Sequence, residues 1–367
     1  MYLALCGTLV VMLLSFLQID VANAQAIPKS IQQGGSIAGG LIDGTYMRFA
    51  DELAKVLDDG DNLRILPTVS YGAASNLDDL LYLRGVDLAV TQSDVFEYFR
   101  TERKTPNLQN RVHYMLRLPI AELHILAKAD VGSLEDLRGK RVNFGPAGSG
   151  SSLTGTIVFQ RLGVQVEQIL IDQQSALQKL QSGEVAALVR VVGKPVDFFN
   201  RIPRNSGLHL IPIPFTSAFA DYYTVGEFEA KDYPSLIPES GKIDTIAVPA
   251  VLSVFNWPRG SDRYRRIERF AERLFGQWDQ FLVPPRHPKW RDVNLSATVP
   301  GWTRHIIAEQ MLGRFYGPAA ASQEDISRDF QAFLDRIGPG APQSQTDRDA
   351  LFREFLQWRA QQGGRRR

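Results

Sequence analysis

Two turns in this sequence carry the residue types that hold small anions. The first, Gly145-Pro146-Ala147-Gly148-Ser149-Gly150-Ser151-Ser152, lies between a short strand pattern at 141–144 and a helical pattern marked by Leu153, Ile157 and Leu162. Backbone N–H groups at a helix start carry partial positive charge and favour a carboxylate or phosphate. Serine hydroxyls add donors, and glycines let a ligand approach the backbone closely. The plainer reading is a tight turn with a serine cap. No Gly-Lys-Ser/Thr ending follows, so this is not a nucleotide-binding loop. The second turn, Ser70-Tyr71-Gly72-Ala73-Ala74-Ser75-Asn76, ends a strand pattern at 63–69. It offers Tyr71 and Ser75 at the rim where ligands of open α/β sheets bind.

Gln92, Ser93 and Asp94 follow an apolar strand pattern at 87–91 and reach the same rim, although Asp94 reads equally well as a helix cap. Arg190 and Lys194 flank Val191-Val192-Gly193 beyond another apolar strand. A cation there either pairs with an anionic ligand or is a solvated surface charge. Tyr46, Tyr71, Tyr222 and Tyr223 are candidates to line a cleft, a tyrosine being as often partly buried core.

Catalytic groupings are thin. The histidines at 113, 124, 209, 287 and 305 show no metal-ligand spacing. There is no Gly-x-Ser-x-Gly elbow, and the pair Asp78-Asp79 sits on what reads as a solvated helix face. The expectation is a binding protein with no cofactor and no metal, not an enzyme.

The elements that must position these turns alternate between strand and helix periodicity, as in α/β proteins with parallel sheets. Tyr46, Phe49, Leu53, Val56 and Leu57 mark one face of a helix opened by Asp43-Gly44-Thr45. Leu77, Leu80 and Leu81 mark a second. The stretch ending at 83–90 parallels 181–188, which sets Gln92 opposite Arg190 and predicts two α/β lobes of similar build. Strand patterns at 123–127 and 246–254 are the natural crossovers between them. They predict lobe 1 at 25–122 plus 250–315, lobe 2 at 123–249, and a two-segment hinge on which the lobes close. A helical extension at 316–367 ends in a basic tail.

The 367 residues are ample for two domains. With 44% hydrophobic and 22% charged residues the chain is globular, and its net charge of +1 gives no field for nucleic acid. Residues 3–17 are almost unbroken apolar, and Ala22-Asn23-Ala24 follows, the outline of a secretory signal peptide at 1–24 cut near Ala24. No Lys or Arg precedes the apolar run, and about 15 apolar residues fall short of a bilayer span. The single cysteine, Cys6, lies within this segment, so the mature chain has no thiol. The mature protein is expected to be soluble and periplasmic.

Taken in order, several landmarks resemble the TAXI-type solute receptors of tripartite ATP-independent periplasmic (TRAP) transporters. They are Gly44-Thr45-Tyr46, Gly72-Ala73-Ala74-Ser75-Asn76-Leu77 and Asp87-Leu88-Ala89-Val90-Thr91-Gln92-Ser93-Asp94, then residues 133–143 and 145–150, 193–195 and 247–252. The resemblance covers about residues 35–310. It implies a type II periplasmic-binding-protein fold, of the Venus flytrap kind, that captures a small organic acid. Dicarboxylates, 2-oxo acids and acidic amino acids are the implied ligands, and a TRAP-type membrane permease the implied partner. Its contacts carry over to Thr45, Tyr46, Ser75, Gln92, Ser93, Ser149, Ser151 and Gly193; the residues themselves add Tyr71, Gly150, Arg190 and Lys194. Met47 and Arg48 stand where the family often has tyrosine and proline. A periplasmic sensor docking on a signalling receptor, and an enzyme on the same fold, are the alternatives.

Overall fold

A computed structural model of the chain describes residues 34–219 and 222–317. The leader at 1–24, Cys6 and all but the first two residues of the extension at 316–367 lie outside the described residues.

In chain order the elements are β1 (Gly34–Gly40), α1 (Thr45–Leu57), β2 (Arg64–Val69), α2 (Ala73–Tyr82), β3 (Val86–Gln92), α3 (Ser93–Thr101), α4 (Leu108–Arg111) and β4 (Val112–Lys128). There follow β5 (Arg141–Asn143), α5 (Gly150–Arg161), β6 (Glu167–Ile169), α6 (Gln173–Ser182), β7 (Ala187–Val192), α7 (Asp197–Asn200), β8 (Leu208–Leu210), β9 (Thr224–Glu229) and β10 (Lys242–Phe255). The last helices are α8 (Asp262–Gly276) and α9 (Ile306–Tyr316).

The strands form one mixed sheet in the order β2-β1-β3-β10-β4-β7-β5-β6, with β8 beside β4 and β9 beside β10. The flanks are parallel, as the α/β alternation predicts. The centre is not. β10 runs antiparallel to β3 and β4, and β4 antiparallel to β7. Two long strands run back against their neighbours to join the two parallel sets.

Those two strands carry the chain from one half of the sheet to the other. β4 has 17 residues and β10 has 14. β10 pairs with β9 up to Ala247 and with β3 from Ala250, and β4 meets β7 from Glu122 onward. Near this crossing β10 is irregular, between Pro249 and Val251 and again between Leu252 and Ser253.

Each half of the sheet is packed on both faces. Phe49, Leu53, Phe270 and Trp290 belong to one cluster of the first half, and Leu77, Phe96 and Tyr114 to the other. In the second half Phe144, Phe159 and Val189 fill one face, and Leu188, Phe199 and Tyr233 the other. Tyr46 packs against three of these four clusters, at the place where the halves meet.

One helix presents an unexpected face. Leu153, Ile157 and Leu162 of the α5 region are only half-buried, whereas Gly150, Ser151, Thr154, Gly155, Val158 and Phe159 are buried. The small residues are there because space is short. A Cβ at Gly155 would lie 2.6 Å from Phe144 Cδ1.

Candidate functional site

The Gly-Ser turn is a helix start. Ser149 caps α5, its Oγ accepting from Ser152 N at 3.0 Å. Gly150 and Ser151 then occupy the first turn, where helix geometry leaves N–H groups without intrahelical acceptors. The Ser151 hydroxyl accepts from Val191 N at 2.9 Å and ties the turn to β7. Both hydroxyls therefore have structural duties as acceptors, and only their protons remain to be given to a ligand.

Across from it stands the turn after β2. Ser75 N donates to Gly148 O at 3.0 Å. Gly72 has a φ of +122°, and a Cβ there would lie 3.1 Å from Ser149 Cα, so only glycine lets the two turns close to this distance. Between them is a narrow cavity of about 50 Å³. Thr45, Tyr46, Tyr71, Ser149, Gly150, Ser151 and Arg190, all candidates from the sequence, line it together with Gln173.

Arg190 is 4% exposed. Its Nη2 donates to Asp43 Oδ2 at 2.8 Å, on the loop before α1, and its guanidinium stacks over Phe198 at 4.9 Å. Nη1 is buried with no hydrogen-bond partner among the described residues. Tyr46 Oη and Gln173 Oε1 are in the same condition. A buried polar group left so costs about 1–3 kcal/mol, and three around one cavity mark a place built to be completed by something else. Burial, reinforced by the charges of Asp94 and Glu122, pushes the Tyr46 phenol well above its usual range, so it stays a neutral hydroxyl.

Gln92 and Ser93, also candidates from the sequence, are buried at the junction of β3 and α3 and do not line this cavity; Gln92 packs against Gly150 of its wall. Gln92 is fully buried, its Nε2 donating to Thr154 Oγ1 at 3.2 Å. Thr154 in turn donates to Asp94 Oδ2 at 2.6 Å, and Tyr223 Oη donates to the same oxygen at 3.0 Å. Asp94 is therefore not the helix cap the sequence also allowed: it lies in the first turn of α3, whose N-cap position is held by Gln92. Its carboxylate belongs to the first half of the sheet and both hydroxyls to the second, so the contact latches the halves together. Burial raises its pKa against those hydrogen bonds.

Three further candidates also lie off the cavity wall. Lys194 turns away from the cavity: its Nζ donates to Asp232 Oδ2 at 2.8 Å and to Glu227 O at 2.5 Å. Gly193 accepts from Thr45 Oγ1 at 3.4 Å through its carbonyl but does not line the cavity. Ser75 serves the contact between turns. Tyr222 lines a wider groove beside Leu153 and Arg161, and Tyr223 is buried. Sequence reasoning missed Gln173, Thr154 and Asp43. Gln173 had a visible signal, since Asp172 caps α6 just after a strand, at a third helix start on the same rim.

Among the described residues no group of three His, Cys, Asp or Glu side chains is placed to hold a metal ion. No described helix is long and apolar enough to cross a membrane.

A family model describing the NMT1-like family matches residues 37–257, which span both turns, the cavity wall and both crossing strands. The chain belongs to the NMT1-like family. The match does not single out the TAXI-type receptors. The architecture, with two α/β halves joined by antiparallel crossing strands, is the type II periplasmic-binding-protein fold. The chain is also similar to several solved structures. An amino acid ABC transporter substrate-binding protein from Streptococcus pneumoniae is 14% identical over 67% of this chain and 91% of its own, with a TM-score of 0.40. A TctC solute binding protein from Polaromonas is 15% identical over 71% and 86%, at 0.38. The CcmR regulatory domain from Synechocystis is 13% identical over 65% and 96%, also at 0.38.

Proposed function

We propose that this NMT1-like protein is an extracytoplasmic solute-binding protein that captures a small organic acid by closing two lobes on it. Lobe 1 comprises 25–122 and 250–315, and lobe 2 comprises 123–249. In this reading the segment at 1–24 is a cleaved export signal. The captured acid passes to a TRAP-type permease of the kind served by TAXI-type receptors.

The observation that supports the reading best is the unpartnered Nη1 of Arg190, buried in the wall of a cavity shared with the first turn of α5. A carboxylate placed there accepts a charge-assisted hydrogen bond from the guanidinium and neutral ones from the N–H groups of Gly150 and Ser151. The two α/β halves meet around that cavity through Asp43–Arg190, Gln92–Thr154 and Asp94–Tyr223. A ligand touching both halves favours the closed arrangement by its differential affinity for it.

A thermal-shift screen of refolded protein against dicarboxylates, 2-oxo acids, amino acids and neutral sugars tests the proposal. A ligand at 100 times its Kd adds about 2.7 kcal/mol of stability. Stabilisation by acids and not by sugars is expected. Stabilisation by none of the acids counts against organic-acid capture.

A further inference from the structure

A second opening begins beside Gly193. A Cβ there would lie 3.3 Å from Thr45 Cγ2, a cavity residue, and 3.3 Å from Lys289 Cδ and Cε. Lys289 belongs to a different space, a groove of about 740 Å³ along the crossing strands that Arg117, Glu122, Lys194 and Asp232 also line. Such a volume is typical of small-molecule sites. The buried carboxylates of the groove are already paired. Glu122 Oε1 accepts from Lys289 Nζ at 2.6 Å, and its Oε2 from Lys194 N at 2.8 Å. Asp232 Oδ2 accepts from Lys194 Nζ at 2.8 Å and from Glu229 N at 2.9 Å. Lys231, at the same groove, is paired with Glu229. Arg117 is not paired. It is half-buried in β4 and makes no hydrogen bond or ion pair among the described residues, although the exposed Asp292 lines the same groove. Beside it β4 bulges, running Leu118 and Pro119 against the single Ala250 of β10, and a bulge re-aims the side chains next to it.

A guanidinium stays charged at every ordinary pH. Burial lowers the pKa of this one, the Tyr114 phenol alone acting the other way. A cation drawn partly out of water without a counter-ion calls for an anion. The donors left over say which kind. Arg117 has all its N–H groups unspent. Lys194 and Lys289 each keep one, the others having gone to Glu227 O and Asp232, and to Ile120 O and Glu122. These donors come from three separate segments of the chain. A planar carboxylate is filled by one arginine fork, whereas a tetrahedral dianion turns oxygens to several sides. We infer that this groove is a second binding site, for a phosphate dianion, free or as a monoester. Arg117 and Lys289 belong to the first half and Lys194 to the second, so an occupant favours the arrangement that brings them together. The site shares no donor with the cavity at Arg190 and does not rest on the capture reading.

The test is calorimetry of the refolded protein with inorganic phosphate, above its second pKa of about 6 and at fixed ionic strength. Phosphate should bind, and Arg117→Met should weaken it by about tenfold or more, the equivalent of one charged hydrogen bond. Arg190→Met should change it by less than about threefold, because the cavity is a separate place. Arg117→Met leaves no group unpaired and should melt as the wild type does. Should it fail to fold, Arg117→Lys, which keeps the charge without the fork, decides the matter in the same way. A further readout needs no variant: phosphate should raise the wild-type melting midpoint, and acetate at equal ionic strength should not. Glycerol phosphate run alongside names the source, since tighter binding than inorganic phosphate points to an ester and weaker binding to the free ion. No binding of either to the wild type would overturn the inference, as would acetate acting like phosphate. Binding lost in Arg190→Met and kept in Arg117→Met would place the phosphate in the cavity and overturn the groove as its site.

Discussion

Two glycines five residues apart in α5 should behave in opposite ways when replaced by alanine. Gly150 faces the other half of the sheet, and a Cβ there would collide with Gln92 Oε1 and lie 2.8 Å from its Cδ. Gln92 is fully buried and held by Thr154, so it has nowhere to turn. Gly155 faces its own half, where a Cβ would lie 2.6 Å and 2.9 Å from two Phe144 ring atoms and 3.1 Å from Val189 Cγ1. Overpacking of this kind costs about 1–3 kcal/mol. For Gly150→Ala that cost, with the loss of the Gln92–Thr154 hydrogen bond at about 0.5–1.5 kcal/mol, falls only on the arrangement in which the halves touch. A combined penalty of about 2 kcal/mol corresponds to a Kd roughly 30-fold higher, with the ligand-free melting midpoint nearly unchanged once the halves part. For Gly155→Ala the cost falls on every arrangement. It is offset by about 1 kcal/mol of helix propensity, leaving a loss of up to about 2 kcal/mol and an unchanged Kd. Calorimetry and thermal melts on both variants decide the matter. Wild-type affinity in Gly150→Ala would refute the idea that the closed contact between Gln92 and α5 is the binding form.

Replacing Arg190 with Met should weaken acid binding by roughly ten- to a hundredfold, the equivalent of one charged hydrogen bond, because Asp43 is exposed enough to rehydrate; an unaltered titration would remove Arg190 from the site. Lys289→Met should cost about 3 kcal/mol in urea unfolding, since it leaves Glu122, 2% exposed and paired to Lys289 Nζ at 2.6 Å, as an uncompensated buried charge. Lys289→Met combined with Glu122→Gln should recover part of that loss, and a double variant no better than the single would contradict it. His124 is buried against Phe199 and bonded to Tyr233, and burial lowers its pKa to about 3. Its contribution to stability is therefore complete above the unfolded value near 6.5 and is lost as pH falls towards about 3. The slope is about 1.4 kcal/mol per pH unit while only the unfolded form is protonated. Unfolding free energies of wild type and His124→Phe between pH 7 and 4 should diverge in slope by one proton, and parallel curves would sink the assignment.

Much of the scaffold was legible because burial and periodicity agree. The face of α1 follows directly from Tyr46, Phe49, Leu53, Val56 and Leu57, and β3 is buried along its whole length as its apolar run predicts. β1 escaped notice because Gly34-Gly35 and Gly39-Gly40 obscure its apolar core. Those glycines are there for packing: a Cβ at Gly39 would lie 2.8 Å from Met47 Sδ in α1. The α5 face was misjudged for the same reason, since at a contact between closely packed surfaces small residues are the buried ones. Within the site, the Gly-Ser turn and Arg190 were visible as chemistry at strand ends. The Asp94–Thr154–Tyr223 contact was not, because it joins residues 60 and 129 positions apart across the cleft.

The paired crossing strands also bear on how such a molecule moves. A loop hinge resists little and lets its ends wander. Here the connection is a two-stranded ribbon bonded across from Ala247 to Phe255, so any closing rotation has to be taken up as twist along a continuous ladder, concentrated where the register slips beside Pro249. In the proposed capture mechanism such a ribbon would act as a torsion spring, storing work when the halves turn and returning it when the ligand leaves. Its amides should then exchange slowly with solvent even while the rims of the cleft exchange fast.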